Sequence, residues 1–135
     1  MPRVNYWAII VSALAAFALS FVWYSAFAEP MLRLHPGRPD TPAAMMRPAA
    51  WKMFVEVGRN LILASVLARL ARGLAVSTWT AAAGLAVLLW VGFPFVLWTG
   101  AILWENVPLE LAAIHAGDWL LKLLAITVIV GVWRR

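Results

Sequence analysis

The chain has 135 residues, 64% of them hydrophobic and only 13% charged, with a net charge of +5. An ordinary soluble domain is ~45–50% apolar and ~25% charged, so the apolar excess excludes a water-facing globule and calls for lipid. Nine tryptophans fit a membrane interface, and the absence of cysteine excludes disulfides, thiolate nucleophiles and cysteine-held metals.

A helix needs about 20 apolar residues to cross the ~30 Å hydrocarbon layer. The first stretch to qualify runs from about 5 to 28 and contains no charge. It imitates a signal peptide, with Arg3 at its start and Ala26-Phe27-Ala28 at its end. Its apolar run exceeds the ~7–15 residues of a signal core, and bulky Trp23 and Tyr24 stand where an interface belt belongs, so it reads as a retained anchor. Small residues at every fourth position, Ala8, Ser12, Ala16 and Ser20, form a stripe that lets another helix approach.

The segment Glu29–Pro48 holds five of the eight prolines and reads as one long Pro-rich loop, with short turns near Met31–Leu34 and Ala43–Arg47. The second stretch, about 49–70, is the most polar. Glu56, Arg59 and Asn60 stand at i, i+3 and i+4 and so share one face. A tight link containing Gly73 leads to the third stretch, about 76–104, uncharged until Glu105. Pro94 within it removes a hydrogen bond to the Trp90 carbonyl and predicts a kink. After a short link, the fourth stretch, about 107–133, carries His115, Asp118 and Lys122 on one face, with Ala113 and Gly117 repeating the small-residue pattern.

Continuous apolar runs exclude half-buried strands, and the first and third stretches lack the polar face of a soluble bundle. The expectation is an all-α protein: a four-helix transmembrane bundle, up-down-up-down, forming a single integral membrane domain over residues 1–135. An even number of spans puts both termini on one side. Arg3, Arg69, Arg72, Arg134 and Arg135 fall there, against Arg33, Arg38, Arg47 and Lys52 opposite. The excess predicts cytoplasmic termini in the cell membrane.

Charges within spans are costly, about 2.5–3.5 kcal/mol or more at a helix centre. Counted from the outer ends, Arg59 lies ~13 Å deep, His115 ~12 Å and Asp118 ~16 Å. The expectation is a polar cluster in the outer half, with Arg59 facing Asp118, Glu56 near His115, and Lys122 extending it inward. Such a cluster either lines a proton or solute pathway or fixes helix register, and the second reading is favoured. His115 can titrate near neutral pH, but with His35 in the loop it has no helical partner ligand, so no metal site and no cofactor are expected. The basic residues gather at span ends, which argues against nucleic acid. Trp7, Trp23, Tyr24, Trp51, Trp79, Trp104 and Trp133 read as interface belts, while Trp90 and Trp98 lie deeper. No nucleophile elbow, phosphate loop or paired-carboxylate arrangement appears, so no enzyme is expected.

The order of short motifs carries a resemblance. Asn5 opens the first span, which ends in Trp23-Tyr24-Ser25; Trp90-Val91-Gly92-Phe93 stands in the third; and Ile114-His115-Ala116-Gly117-Asp118-Trp119-Leu120 stands in the fourth, which closes with Trp133. Over nearly its whole length the chain resembles domain of unknown function family 1761, small bacterial four-span membrane proteins. The resemblance implies the fold and the membrane location and brings no activity, substrate or cofactor. Where Trp-Tyr-Ser is commonly followed by Pro and a Phe-Gly pair, Ala26-Phe27-Ala28 stands here. The expected role is structural or accessory, with the lipid bilayer as partner. The alternative is a small homodimeric transporter or channel using the charged cluster, for a ligand that the sequence does not name.

Overall fold

The computed structural model describes residues 3–34 and 49–133. They form five helices and, among the described residues, no strand: α1 (Tyr6–Ala26), α2 (Ala28–Leu34), α3 (Ala50–Gly73), α4 (Trp79–Glu105) and α5 (Leu109–Val132). Most of the expected Pro-rich loop, including the turn at 43–47, His35, Arg38 and Arg47, lies outside the described residues, as do Arg134 and Arg135. The first part of that segment folds as α2, whose Met31 is buried against Leu111 and Ile114 of α5.

Local chemistry sets the helix ends. Asn5 caps α1, its Oδ1 accepting from the backbone N–H of Trp7 at 3.0 Å and of Ala8 at 3.2 Å. Thr78 caps α4 by accepting from Ala81 N–H at 3.2 Å. At the end of α3, Val76 N–H bonds back to Ala71 O and Ala75 N–H to Arg72 O, with Ala75 left-handed at φ 53°. This is the bonding of a Schellman close, and glycine usually fills that left-handed place. Gly73 sits two residues too early to take it.

Among the described residues three helices are long and apolar enough to cross a membrane: α1, α4 and α5, with mean hydropathies of 1.9, 2.0 and 1.7. The chain is thus a membrane protein in which α3, the remaining long helix, stands apart. Its 24 residues suffice for length, but it carries Lys52, Glu56, Arg59, Arg69 and Arg72. Within α4 the break expected at Pro94 takes the form of a π-helical turn at Val91–Phe95 inside an otherwise continuous helix. The wider turn accommodates a residue that has no N–H to give and whose ring would collide with the carbonyl four residues back.

Helix α5 is the central element, packing against α1, α3 and α4. Ser20 meets Asp118 and Trp23 meets Ile114, so α1 runs antiparallel to α5. Trp98 meets His115 while Ala82 packs near Gly131, so α4 does the same. Glu56 meets Lys122 and Val76 packs near Gly131, so α3 runs parallel. One half of this assembly is a dry core: Ala8, Ala13 and Ala16 of α1 and Ala64, Ala68 and Ala71 of α3 close on Leu123, Ile126 and Val130. Small side chains let the backbones approach, which in lipid is the main source of helix association. Ala8, Ser12, Ala16 and Ser20 all lie buried on that stripe. Ala113, expected to pack, faces outward, because α5 turns Ala112 and Ile114 inward instead.

Candidate functional site

The other half of the assembly, where α1 ends and α3 and α5 begin, is polar. Lys122 is its hub. Its Nζ lies 3.1 Å from Glu56 Oε1 on α3 and 3.1 Å from Asp118 Oδ2 one turn earlier on α5. Both Lys122 and Asp118 are almost fully buried, at 4% and 2% exposure. A lysine buried that deeply needs opposite charge around it, and two carboxylates supply it. Glu56 also holds Arg59, at 2.7 Å. Asp118 Oδ1 accepts from Ser20 Oγ at 2.6 Å, and its Oδ2 lies at the long limit, 3.5 Å, from the Tyr24 hydroxyl. That hydroxyl sits 2.8 Å from His115 Nδ1, and the imidazole stacks on Trp98 with centroids 4.7 Å apart and planes 9° from parallel.

The expected residues therefore meet, but in different pairs. Arg59 bonds to Glu56 and not to Asp118, and its side chain reaches outward at 58% exposure. Glu56 takes Lys122 and Arg59 in place of His115, and His115 takes Tyr24. The physical reason is local. Glu56–Arg59 and Asp118–Lys122 are i,i+3 and i,i+4 pairs that satisfy each other within one helix, and the Glu56–Lys122 pair joins the two helices within the cluster. Asn60 does not join them. It is buried one turn further along α3, and its Nδ2 has no hydrogen-bond partner.

The site also takes in residues whose sequence context points elsewhere: Ser20 to packing, Trp23 and Tyr24 to an interface belt, and Trp98 to the interior. Trp23 Nε1 donates to Ile114 O at 2.8 Å and Trp90 Nε1 to Ala116 O at 2.7 Å, so two indoles hold α5 on either side of His115. The ring of Trp23 lies directly over Gly117. The available signal was spacing: Ser20 and Tyr24 stand four apart, as do Asp118 and Lys122, and both pairs form helix-face patterns at the same depth.

These groups border a cavity of about 550 Å3 lined by residues of α1, α3 and α5 and by Trp98 of α4. Phe17, Phe21 and Met53 give it apolar walls, Lys52 and Arg59 stand at its rim, and Asp118, Lys122 and His115 line its inner side. The site thus offers acceptor oxygens, fixed cations and stacking surfaces. Among the described residues no group of three metal-binding side chains converges.

Fold and site together define a small helical membrane protein with an ion-paired pocket at one end. The family described as Protein of unknown function (DUF1761) matches residues 7–131, and the chain belongs to it. No curated protein and no solved structure matches the chain. Part of the resemblance falls on the site. Trp23, Tyr24 and Trp90 on one side meet Ile114, His115, Ala116, Gly117 and Asp118 on the other.

Proposed function

We propose that the protein crosses the cell membrane four times, with α1, α3, α4 and α5 alternating in direction and both termini in the cytoplasm. In this reading it holds a small ligand in the pocket at its outer end and performs no chemistry on it. The placement of charge supports α3 as a span. Lys52 lies at one end, Arg69 and Arg72 at the other, Glu56 and Arg59 in the network, and residues 60–68 carry none. Trp7, Trp79 and Trp133 stand exposed at one end of the assembly, and Trp51 and Trp104 at the other, as two interface belts would. The role is accessory binding, with no nucleic acid involved and no cofactor required.

One observation carries this reading: the ion-paired side chains border open space. Charges that served only to clamp helices would end in packed protein. Here Glu56, Asp118 and Lys122 line a cavity of about 550 Å3, within the range of small-molecule sites, ~300–1,000 Å3. A second reading, a homodimeric transporter, draws on the run of groups from His115 through Tyr24 and Asp118 to Lys122, each able to pass a proton to the next. It is the weaker because beyond the pocket the core is dry, closed by Ala16, Ala64, Leu67 and Ile126. Native mass spectrometry of the detergent-purified protein is expected to find a retained small molecule, lost in Met53→Trp, which fills the pocket rim without touching the network. Loss of no mass in that variant would remove the binding reading. Proton or solute flux into proteoliposomes that Lys122→Met abolishes would instead establish the transporter.

A further inference from the structure

A second cavity, of about 370 Å3, lies beside the first. It is a groove between α3 and α4. Both helices pack on α5 but make little contact with each other, and the π turn at Val91–Phe95 carries Phe93 and Pro94 into the groove wall. Its lips are Val66 and Leu97, its floor Leu123, and every lining residue is apolar or aromatic. Trp98 and Trp119 line both cavities, so the polar pocket and the apolar groove meet across these two indoles.

We infer that the two cavities form one site for a phospholipid with an anionic headgroup, the head in the pocket and one acyl chain in the groove. This rests on the reading of the pocket as a ligand site and names its ligand class. Three features of the molecule carry it. The polarity runs the right way, from Lys52 at the outer end of α3 to Leu63 at the start of the groove, ~16 Å further along the helix. The charge is complementary: Lys52, Arg59 and Lys122 face two carboxylates, Glu56 and Asp118, leaving one positive charge in excess around the pocket. Finally, both cavities open sideways. Exposed Phe21 and Met53 flank the pocket and exposed Val66 and Leu97 the groove, so each cavity faces the surrounding lipid. The guanidinium of Arg59, already bonded to Glu56 and more than half exposed, is the group placed to take a phosphate, which it binds with two parallel hydrogen bonds. The second acyl chain stays in the surrounding lipid.

The test uses the full chain in mild detergent with equal amounts of phosphatidylglycerol and phosphatidylcholine of identical chains, read by native mass spectrometry. A single phosphatidylglycerol adduct is expected, retained roughly tenfold over phosphatidylcholine. Lys52→Gln with Arg59→Gln should bring the ratio close to one. Val66→Trp and Leu97→Trp, both at exposed positions where added bulk leaves the core intact, should each weaken retention of the lipid while preserving the preference. Equal retention of the two lipids by the unaltered protein overturns the inference. So does retention that both groove variants leave unchanged while Met53→Trp abolishes it; in that case the pocket still binds a ligand, but the groove takes no part. Adducts indifferent to Met53→Trp as well would overturn the pocket reading with it.

Discussion

Gly117 shows how a single missing atom shapes the site. A Cβ there would lie 2.5 Å from Cζ2 of Trp23 and 2.9 Å from its Cη2, inside any tolerable contact. The indole cannot simply slide away, because Nε1 is bonded to Ile114 O at 2.8 Å and the ring packs on Phe27. Gly117→Ala is therefore expected to destabilise the protein by about 1–3 kcal/mol, the range for overpacking, read as unfolding free energy in detergent. Adding Trp23→Phe should recover part of that loss, since the smaller ring vacates the space. If the double variant is less stable than the sum of its singles, the contact is not what Gly117 serves. The small-residue spacing of Ala113 and Gly117 marked a packing face in the sequence, yet only Gly117 packs closely. Periodicity gives a face but not the neighbour that covers it. Tyr24 and Trp23 were hidden for a related reason: at a span end, an aromatic suited to the interface looks the same as one turned inward to bond.

At the scale of the helix, α5 carries the network and α3 completes it. Lys122→Met would leave Glu56 and Asp118 facing each other with no cation between them, and the expected cost is about 3–5 kcal/mol, as for breaking a buried pair. Asp118→Asn alone should cost less, since Lys122 keeps Glu56. The two substitutions share a contact, so a double-mutant cycle between them should return a coupling of about 0.5–3 kcal/mol. The cycle between Arg59→Leu and Asp118→Leu should return less, because these side chains do not touch and are linked only through Glu56 and Lys122. A larger coupling for Arg59 would mean the wiring is wrong. The sequence located the charges on matching faces at matching depth. It could not assign partners, because pairs within a helix compete with pairs between helices and the outcome depends on side-chain reach.

Over the whole molecule, the long helices begin and end within three residues of the four apolar stretches read from the sequence. Continuous apolar runs bounded by Pro, Gly and charge leave little freedom there. The left-handed residue at the end of α3 was not legible: the sequence marked only a tight link containing Gly73, and Ala75 takes the position. The number of crossings turns on α3, whose charges set it apart from the other long helices. The chain has no cysteine, so single cysteines report topology without background. Ala49, Leu74 and Glu105 are all exposed and flank α3 and α4. With four crossings and cytoplasmic termini, Ala49→Cys and Glu105→Cys react with an impermeant maleimide on intact cells, and Leu74→Cys only after permeabilisation. Reaction of Ala49→Cys and Leu74→Cys from one side would leave α3 lying along the membrane, and with it Glu56 and Arg59 in contact with water. The inverse pattern at all three positions would keep four spans but turn the pocket toward the cytoplasm, making any lipid it holds one of the inner leaflet.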